Sequence, residues 1–371
     1  MKILFVGGNF DLDGGRSSGL INKIYESLYK GLCNCDSIDF FNGGSYHQLE
    51  KIIDSAQKYD VILWFPNVPN KLPKHKTIKS VNPLAIVVGS KRNNGEYSFV
   101  DVLNRTLLKR DNLTVQFSIN YEKSVFNKEN MQHNGLYQRN KNGKYVFNLF
   151  DPLGTSWYMG DNVDELASSL LNRLGFLLTT HRQRTHPSKL KVSVPNNIEF
   201  FNYVHEVAEV FHETVQHTSG VTRLLGNASF RGENGIIFAS QRDVDKSVIS
   251  VNQFVPAYLQ NGTVFYCGQN KPSKDTAVQL QLYSIFQNVN YIVHSHCYVD
   301  GAHFTSIPVP CGALEEVDEI RKVVELYHCN DTTLKKYAVN LIGHGCIVMA
   351  DTVESLKNTK YITRQLPERI K

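Results

Sequence analysis

The feature that most constrains the fold is an alternation of short apolar runs with helix-length segments through the first half of the chain. The apolar runs predict strands, and the intervening segments carry apolar residues at helical spacing. Such alternation indicates a mostly parallel sheet covered by helices on both faces, that is, a Rossmann-like α/β domain. The predicted strands are Lys2–Val6, Asp36–Phe41, Asp60–Phe65, Leu84–Gly89 and Leu113–Ile119, and the predicted helices are Leu20–Leu32, Leu49–Lys58, Val100–Lys109 and Asn162–Leu178.

A change of pattern after this region predicts a second domain. The 371 residues are enough for two domains. The stretch Thr185–Asn197 contains Pro187, Pro195 and charged residues, as interdomain linkers do. We therefore predict a first domain over residues 1–187 and a second over residues 195–371, which opens with a helix at Phe200–His217.

Composition excludes several classes of protein. The formal net charge of +5 is small and spread along the chain, which argues against a nucleic-acid partner. No run approaches the roughly 18 apolar residues of a membrane span, and the N-terminal apolar run is too short for a signal peptide. The seven cysteines are scattered without CxxC pairs, as reduced thiols are. We therefore predict a cytoplasmic protein with no nucleic-acid or membrane partner.

Two histidines one residue apart follow a predicted amphipathic helix in the second domain. Asn290–His296 is predicted to be a strand, on which residues two apart face the same side, so His294 and His296 can reach one metal ion. The preceding helix carries Asp275 in its first turn, where the helix dipole favours a carboxylate, and its short return to the strand brings Asp275 toward the same place. The apolar face of that helix comprises Val278, Leu282, Ile285, Phe286 and Val289.

A third histidine lies between two glycines where two apolar runs meet, in Gly343-His344-Gly345. Flanking glycines permit a sharp turn and a close approach of the backbone. Three histidines plus a fourth position that is open or filled by a carboxylate describe a catalytic zinc site. The pattern therefore predicts that His294, His296 and His344 bind Zn²⁺ or another divalent metal; the alternative is that they are ordinary strand histidines.

The second domain also resembles the class II aldolase and adducin family, whose members include fuculose-phosphate aldolase and ribulose-phosphate 4-epimerase. The resemblance covers roughly residues 200–356, and the matching motifs appear in family order. They are Gly226-Asn-Ala-Ser-Phe-Arg231, Pro272-Ser-Lys-Asp275, Ile292-Val-His-Ser-His296, Ile307-Pro-Val-Pro-Cys311 and Gly343-His-Gly345. The resemblance implies an α/β/α domain, a zinc ion held by the three histidines, and Asp275 in the position of the family's acid.

This resemblance also implies an activity and an assembly. The implied activity is that of a metal-dependent lyase (aldolase) or epimerase, acting on a sugar or sugar-phosphate through a zinc-stabilised enediolate. Asp275 would be the general base or simply a fourth ligand. The implied assembly is a homo-oligomer, a tetramer, in which neighbouring subunits complete the active site. The alternative function is a non-catalytic, adducin-like binding or assembly module.

Two departures from the family pattern concern phosphate recognition. The family's glycine-containing phosphate turn is replaced by Ala239-Ser-Gln-Arg242, and Lys274 replaces the usual second serine before the acid. Phosphate recognition is therefore expected to be altered or lost, with Lys274 or Arg242 supplying a replacement charge. The candidate substrate-binding residues of this domain are Asn227, Ser240, Arg242, Ser273 and Lys274.

A third departure is the short segment between His296 and Ile307. In that segment the family places the tyrosine or aspartate that one subunit lends to its neighbour as an acid/base. Tyr298 is the candidate for this catalytic role, and Asp300 and His303 are the alternatives.

A glycine-rich loop follows the first strand of the first domain. Gly14, Gly15 and Arg16 precede a predicted helix, and such a turn can cradle phosphate with backbone N–H groups. The loop does not satisfy GxGxxG, so dinucleotide binding is not supported; we predict nucleotide or phosphosugar binding, and the alternative is that the glycines serve backbone geometry alone. Gly89–Arg92, at the end of a predicted strand, is a second candidate ligand site.

Overall fold

The computed structural model describes most of the chain, in two compact units, Met1–Leu178 and Thr179–Leu366. The described residues are 1–34, 36–68, 85–92, 113–119, 145–150, 156–182, 185–188, 192–214, 226–242, 244, 246–307, 309, 312–328, 335–342 and 344–362. The units divide at Leu178, whereas the sequence predicts an end of the first domain at residue 187. The predicted helix Val100–Lys109 lies outside the described residues.

The first unit is built on one sheet. Its strands are β1 (Lys2–Asp11), β2 (Ser37–Ser45), β3 (Val61–Asn67), β4 (Ala85–Arg92), β5 (Leu113–Ile119), β6 (Tyr145–Phe150) and β7 (Ser156–Gly160). They lie in the order β2-β1-β3-β4-β5-β6-β7. The pairings among β1–β5 are parallel, and those of β6 with β5 and β7 are antiparallel. The predicted parallel sheet is therefore present.

Helices cover both faces of this sheet. They are α1 (Gly19–Gly31), α2 (Tyr46–Ser55) and α3 (Val163–Arg182), with a 3₁₀ turn at Ala56–Lys58. Alternate residues of β1 face opposite sides, so Phe5 packs with α1 and α3 while Leu4 packs with α2. The start of α2 is fixed by Ser45, whose hydroxyl accepts a hydrogen bond from the Gln48 N–H. The Rossmann-like assignment, as a nucleotide-binding fold, stays a prediction.

The second unit has a larger, mainly antiparallel sheet. Its strands are β8 (Thr185–Pro187), β9 (Asn227–Arg231), β10 (Ile237–Ser240), β11 (Phe254–Gln260), β12 (Thr263–Tyr266), β13 (Tyr291–Ser295), β14 (Tyr298–Val299), β15 (His303–Phe304), β16 (Lys336–Leu341), β17 (Gly345–Ala350) and β18 (Tyr361–Ile362). Nine of them lie in the order β15-β16-β17-β13-β9-β10-β11-β12-β8, and β14 pairs with β18 separately. Part of the predicted linker is therefore an edge strand, because β8 pairs with β12.

Four helices flank this sheet within the described residues. They are α4 (Ile198–Thr214), α5 (Thr276–Ile285), α6 (Glu315–His328) and α7 (Val353–Lys357), with 3₁₀ turns at Lys246–Val248 and Val251–Gln253. The apolar faces of α4 and α7 pack on one side of the sheet, and those of α5 and α6 pack on the other. These three layers are the α/β/α arrangement that the resemblance implied. Ile285 was wrongly assigned to the packed face of α5: it is 40% exposed, because the helix ends there.

Among the described residues, no helix combines the length and the apolar character that crossing a membrane would require.

Candidate metal centre

Strand β13 and the residue that follows it carry two of the three predicted metal ligands. His294 lies near the end of the strand and is 3% exposed, and His296 follows the last strand residue and is half-buried. Their ring centroids are 5.1 Å apart. Ile292 packs with α5 and α6, so alternation along the strand also places His294 on the side of the sheet that those helices cover.

The third histidine comes from the turn between β16 and β17. The His344 N–H donates to the Leu341 carbonyl at 3.0 Å, which closes the turn. Because β17 pairs with β13, this turn lies beside the end of β13. The ring centroid of His344 is 4.6 Å from that of His294 and 5.2 Å from that of His296. One ligand atom from each of the three side chains lies within 4.8 Å of the others, so the structure brings the predicted ligands together.

Gly226, immediately before β9, allows this strand to pass close to the end of β13. Gly226 has φ of +84°, and a Cβ at this position would lie 2.4 Å from the carbonyl oxygen of His294. A side chain there would displace either β13 or the start of β9. The glycine of the Gly226-Asn-Ala-Ser motif therefore allows the start of β9 to pack closely against the backbone of His294.

His294 has the properties of a metal ligand. Its Nδ1–H donates to the Cys346 carbonyl at 2.8 Å, which leaves Nε2 to face the cluster. That Nε2 is buried and makes no hydrogen bond within the described residues. Burial lowers the pKa of His294, and the field of His344 lowers it further, against smaller opposing effects of Asp275 and Glu316. The ring is therefore neutral at pH 7, the form that binds a metal, and the donor set fits zinc.

Asp275 occupies the N-cap position of α5, one residue before the predicted first turn, and is buried. Its Oδ2 accepts a hydrogen bond from the Asn227 side-chain amide, and Asn227 Oδ1 accepts one from the Gln279 side chain. Asn227 was predicted to bind substrate; the structure places its side chain between Asp275 and Gln279. The Asn227 amide therefore orients the carboxylate beside the histidines.

Glu316 is a site residue that was not predicted from the sequence. It lies in the first turn of α6, is 3% exposed, and its Oε1 is 2.9 Å from His344 Nδ1. Burial raises the pKa of Glu316, and the nearby Asp275 carboxylate raises it further, while His294 opposes the shift. A signal was present in the sequence, because Glu316 precedes the buried Ile320 by four residues and so shares the apolar face of its helix.

The remaining predicted substrate-binding residues of this unit lie around the start of α5. The Ser273 N–H donates to the Ser240 carbonyl at 3.0 Å, so these two serines are adjacent. The Ser240 hydroxyl is buried and accepts from the Ala228 N–H at 3.1 Å. Arg242 is half-buried, its Nε makes no hydrogen bond within the described residues, and Lys274 is exposed beside Asp275. Their roles in substrate binding stay predictions.

The three candidates for a second acid/base are engaged outside the histidine cluster. Tyr298 is buried in the small β14–β18 sheet, and its ring packs edge-on against Phe304 with centroids 5.1 Å apart. Asp300 accepts a hydrogen bond from Lys360 Nζ at 2.7 Å. The exposed ring of His303 stacks on Tyr327 at 3.5 Å. The catalytic role of Tyr298 stays a prediction.

In the first unit, the loop of Gly14, Gly15 and Arg16 follows β1. The Gly15 N–H donates to the Gly44 carbonyl at 2.8 Å, so this donor is committed to the protein backbone. A Cβ on Gly15 would lie 2.0 Å from the Asn9 carbonyl oxygen. Because the backbone passes so close, only a glycine fits at position 15, and this requirement explains the residue without a bound phosphate. Gly14 and Arg16 are exposed, and phosphate binding by this loop stays a prediction.

Fold and site together define a three-layer α/β domain with a buried three-histidine cluster. The family model described as "Class II Aldolase and Adducin N-terminal domain" matches residues 205–366. The match spans all three histidines, Asp275 and Glu316. The C-terminal half of the chain therefore contains a class II aldolase domain.

Several solved structures are similar to parts of this chain. An L-fuculose 1-phosphate aldolase is 15% identical over 45% of this chain and 85% of its own, with a TM-score of 0.32. The L-fuculose-1-phosphate aldolase from Thermus thermophilus is 14% identical over 47% of this chain and 84% of its own, with a TM-score of 0.27. A DNA/pantothenate metabolism flavoprotein from Streptococcus pneumoniae is 13% identical over 48% of this chain and 99% of its own, with a TM-score of 0.32.

Proposed function

We propose that the second unit is a divalent-metal-dependent lyase of the aldolase type, or an epimerase, acting on a sugar or sugar-phosphate. The observation that carries the proposal is the convergence of His294, His296 and His344 within a class II aldolase domain. The buried Asp275 lies near enough to His294 to influence its pKa. His294, His296 and His344 would hold a divalent cation, which would supply a Lewis acid to polarise a substrate carbonyl and stabilise negative charge on its oxygen. Zinc is the proposed cation.

Asp275 is the proposed general base. Its carboxylate lies at the N-terminus of α5, where the helix dipole stabilises negative charge, and the hydrogen bond from Asn227 fixes its orientation. Gln279 in turn holds the Asn227 side chain. A carboxylate that is oriented and buried in this way can take a proton from a substrate hydroxyl or carbon beside the polarised carbonyl.

One observation favours a second function, a non-catalytic binding or assembly module. Tyr298 packs against Phe304, Asp300 pairs with Lys360, and His303 stacks on Tyr327. A lyase of this kind needs a second acid/base group, and these contacts give all three candidates another role. A domain that binds a metal and a sugar without turning it over is therefore the alternative.

The Asp275→Asn variant separates the two functions. The amide keeps the size of the carboxylate but cannot accept a proton at neutral pH, so turnover should fall by about 10²–10⁴-fold while most of the metal is retained. Ketose phosphates, free ketoses and nucleotide-linked sugars form the substrate panel, assayed for aldehyde release and for proton exchange with deuterated solvent. Asp318→Asn is the matched control, because that carboxylate is exposed and pairs with Arg321 on α6.

The alternative function predicts a different result in the same assays. Metal-loaded wild-type protein would then turn over no substrate class, and any sugar it binds would bind Asp275→Asn equally well. The panel is run on the full chain, so that the first unit, where Gly14, Gly15 and Arg16 are proposed to bind a nucleotide or phosphosugar, is present in the protein tested.

A further inference from the structure

Glu316 is a buried carboxylate on a helix face that is mostly apolar. Its neighbours on the buried side of α6 include Val317, Ile320 and Val323. Burying a carboxylate among apolar side chains is costly unless a hydrogen bond and a compensating charge accompany it. A glutamate at this place in the core therefore requires a specific partner.

The neighbouring buried glutamate of the same helix shows how such a cost is offset. Glu319 accepts a hydrogen bond from Lys322 Nζ at 2.6 Å and another from the Ser306 hydroxyl at 2.6 Å. Glu316 has no lysine or arginine within ion-pair distance among the residues that the structure describes; its side-chain partner there is His344. The hydrogen bond that satisfies Glu316 therefore comes from the histidine cluster.

The contact with His344 has a consequence for metal binding. With Nδ1–H donating to the Glu316 carboxylate, the lone pair of His344 is on Nε2, the ring nitrogen that remains for a cation. A carboxylate partner also makes the imidazole a stronger donor than a backbone carbonyl does, which is the partner that His294 has in Cys346.

We propose that Glu316 is a positioning residue of the metal centre: it holds His344 in the tautomer that presents Nε2 to a divalent cation. This inference rests on the proposed metal-dependent function and extends it to a residue that carries no part of the family motifs in this sequence. Glu316 acts through His344 and does not contact the cation.

The test measures cation affinity without any assay of turnover. Full-length wild type, Glu316→Gln and Glu316→Ala are stripped of metal and titrated with Zn²⁺ and with Co²⁺ in competition with a chromophoric chelator. Loss of an outer hydrogen-bond partner weakens metal binding by about 10–100-fold, so Glu316→Gln should lie near the low end of that range and Glu316→Ala near the high end. Glu319→Gln removes a buried charge from the same helix face and should stay within about twofold of wild type.

A second measurement separates positioning from a general effect on folding. The metal-free Glu316→Gln variant should melt at the same temperature as metal-free wild type, while its stabilisation by added Zn²⁺ should be smaller. The Co²⁺ absorption spectrum of this variant should differ from that of wild type, because a ligand of the ion is held differently, whereas the spectrum of Glu319→Gln should not differ.

The outcomes distinguish this inference from the function on which it rests. Equal affinities in Glu316→Gln, Glu316→Ala and Glu319→Gln, with wild type binding both probe cations, overturn the role of Glu316 and leave the proposed function standing. A lower melting temperature of metal-free Glu316→Gln with unchanged affinity assigns Glu316 to folding alone and also overturns it. A wild-type protein that binds neither Zn²⁺ nor Co²⁺ overturns both proposals.

Discussion

Gly345 lies directly against Ser295: a Cβ at position 345 would be 1.9 Å from the Ser295 carbonyl oxygen and 2.7 Å from the His296 Cα. The turn that carries His344 therefore lies against the strand end that carries the other two histidines. The φ of Gly345 is +150°, in the region that favours glycine. This contact between two backbones sets the distance between the third ligand and the first two.

Gly345→Ala is expected to lower the free energy of unfolding by more than about 3 kcal/mol and to reduce metal content, because the added methyl group must separate β17 from β13. Gly235→Ala is the matched control, since Gly235 also has positive φ, +78°, but a Cβ there meets nothing within 4 Å. The control should cost only about 1 kcal/mol. Chemical denaturation of both variants measures the difference, and equal losses would show that the contact with Ser295 is unimportant.

The purified protein is expected to carry about one zinc or similar divalent ion per chain, because three imidazoles converge on one point. Replacing both His294 and His296 with alanine removes two of the three ligands and should abolish the retained metal. His303→Ala is the control, because that histidine stacks on Tyr327. Elemental analysis after mild dialysis measures the content; a double variant that retains the wild-type amount of metal would rule out the site.

The second unit is expected to lose stability in alkaline solution. Burial raises the pKa of Tyr203 to about 12, and its hydroxyl is 3.1 Å from that of Tyr361, whose pKa burial also raises. An unfolded tyrosine loses its proton near pH 10. The stabilising effect is therefore complete below pH 10 and is lost as the pH rises toward 12. For Tyr203 the loss is on the order of 3 kcal/mol.

Urea unfolding at pH 8, 10 and 11 measures this dependence, and Tyr203→Phe serves as the comparison. Phenylalanine has no hydroxyl to ionise, so the free energy of unfolding of the variant should fall less steeply between pH 10 and pH 11. Parallel pH profiles in the two proteins would assign the alkaline effect to other groups.

The protein is expected to form a homo-oligomer, a tetramer of the 42.1 kDa chain. The expectation comes from the family resemblance, which implies that neighbouring subunits complete the active site. Light scattering coupled to size exclusion at micromolar concentration measures the mass. A monomer alone would count against the tetramer and against any catalytic group shared between subunits.

Features that depend on local spacing could be predicted from the sequence. The predicted strand Leu113–Ile119 has the same bounds as β5, and the predicted helix Leu20–Leu32 is offset by one residue from α1. His294 and His296 share a side of β13 because alternation is a property of any strand. Helical and strand periodicity arise from interactions over a few residues, so they can be recognised in the sequence without knowledge of the tertiary structure.

The partners of the buried polar groups were decided by the tertiary structure alone. Glu316 meets His344 across 28 residues of sequence, and Asn227 meets Asp275 across 48. The apolar face of α6 marks position 316 as buried but does not say which group accepts or donates there. The sequence by itself therefore determined which elements form and which side chains are candidate ligands. Only packing of α5 and α6 against the sheet decided which carboxylate and amide support them, because a buried polar group must find its partner among the residues that the fold brings within hydrogen-bonding distance.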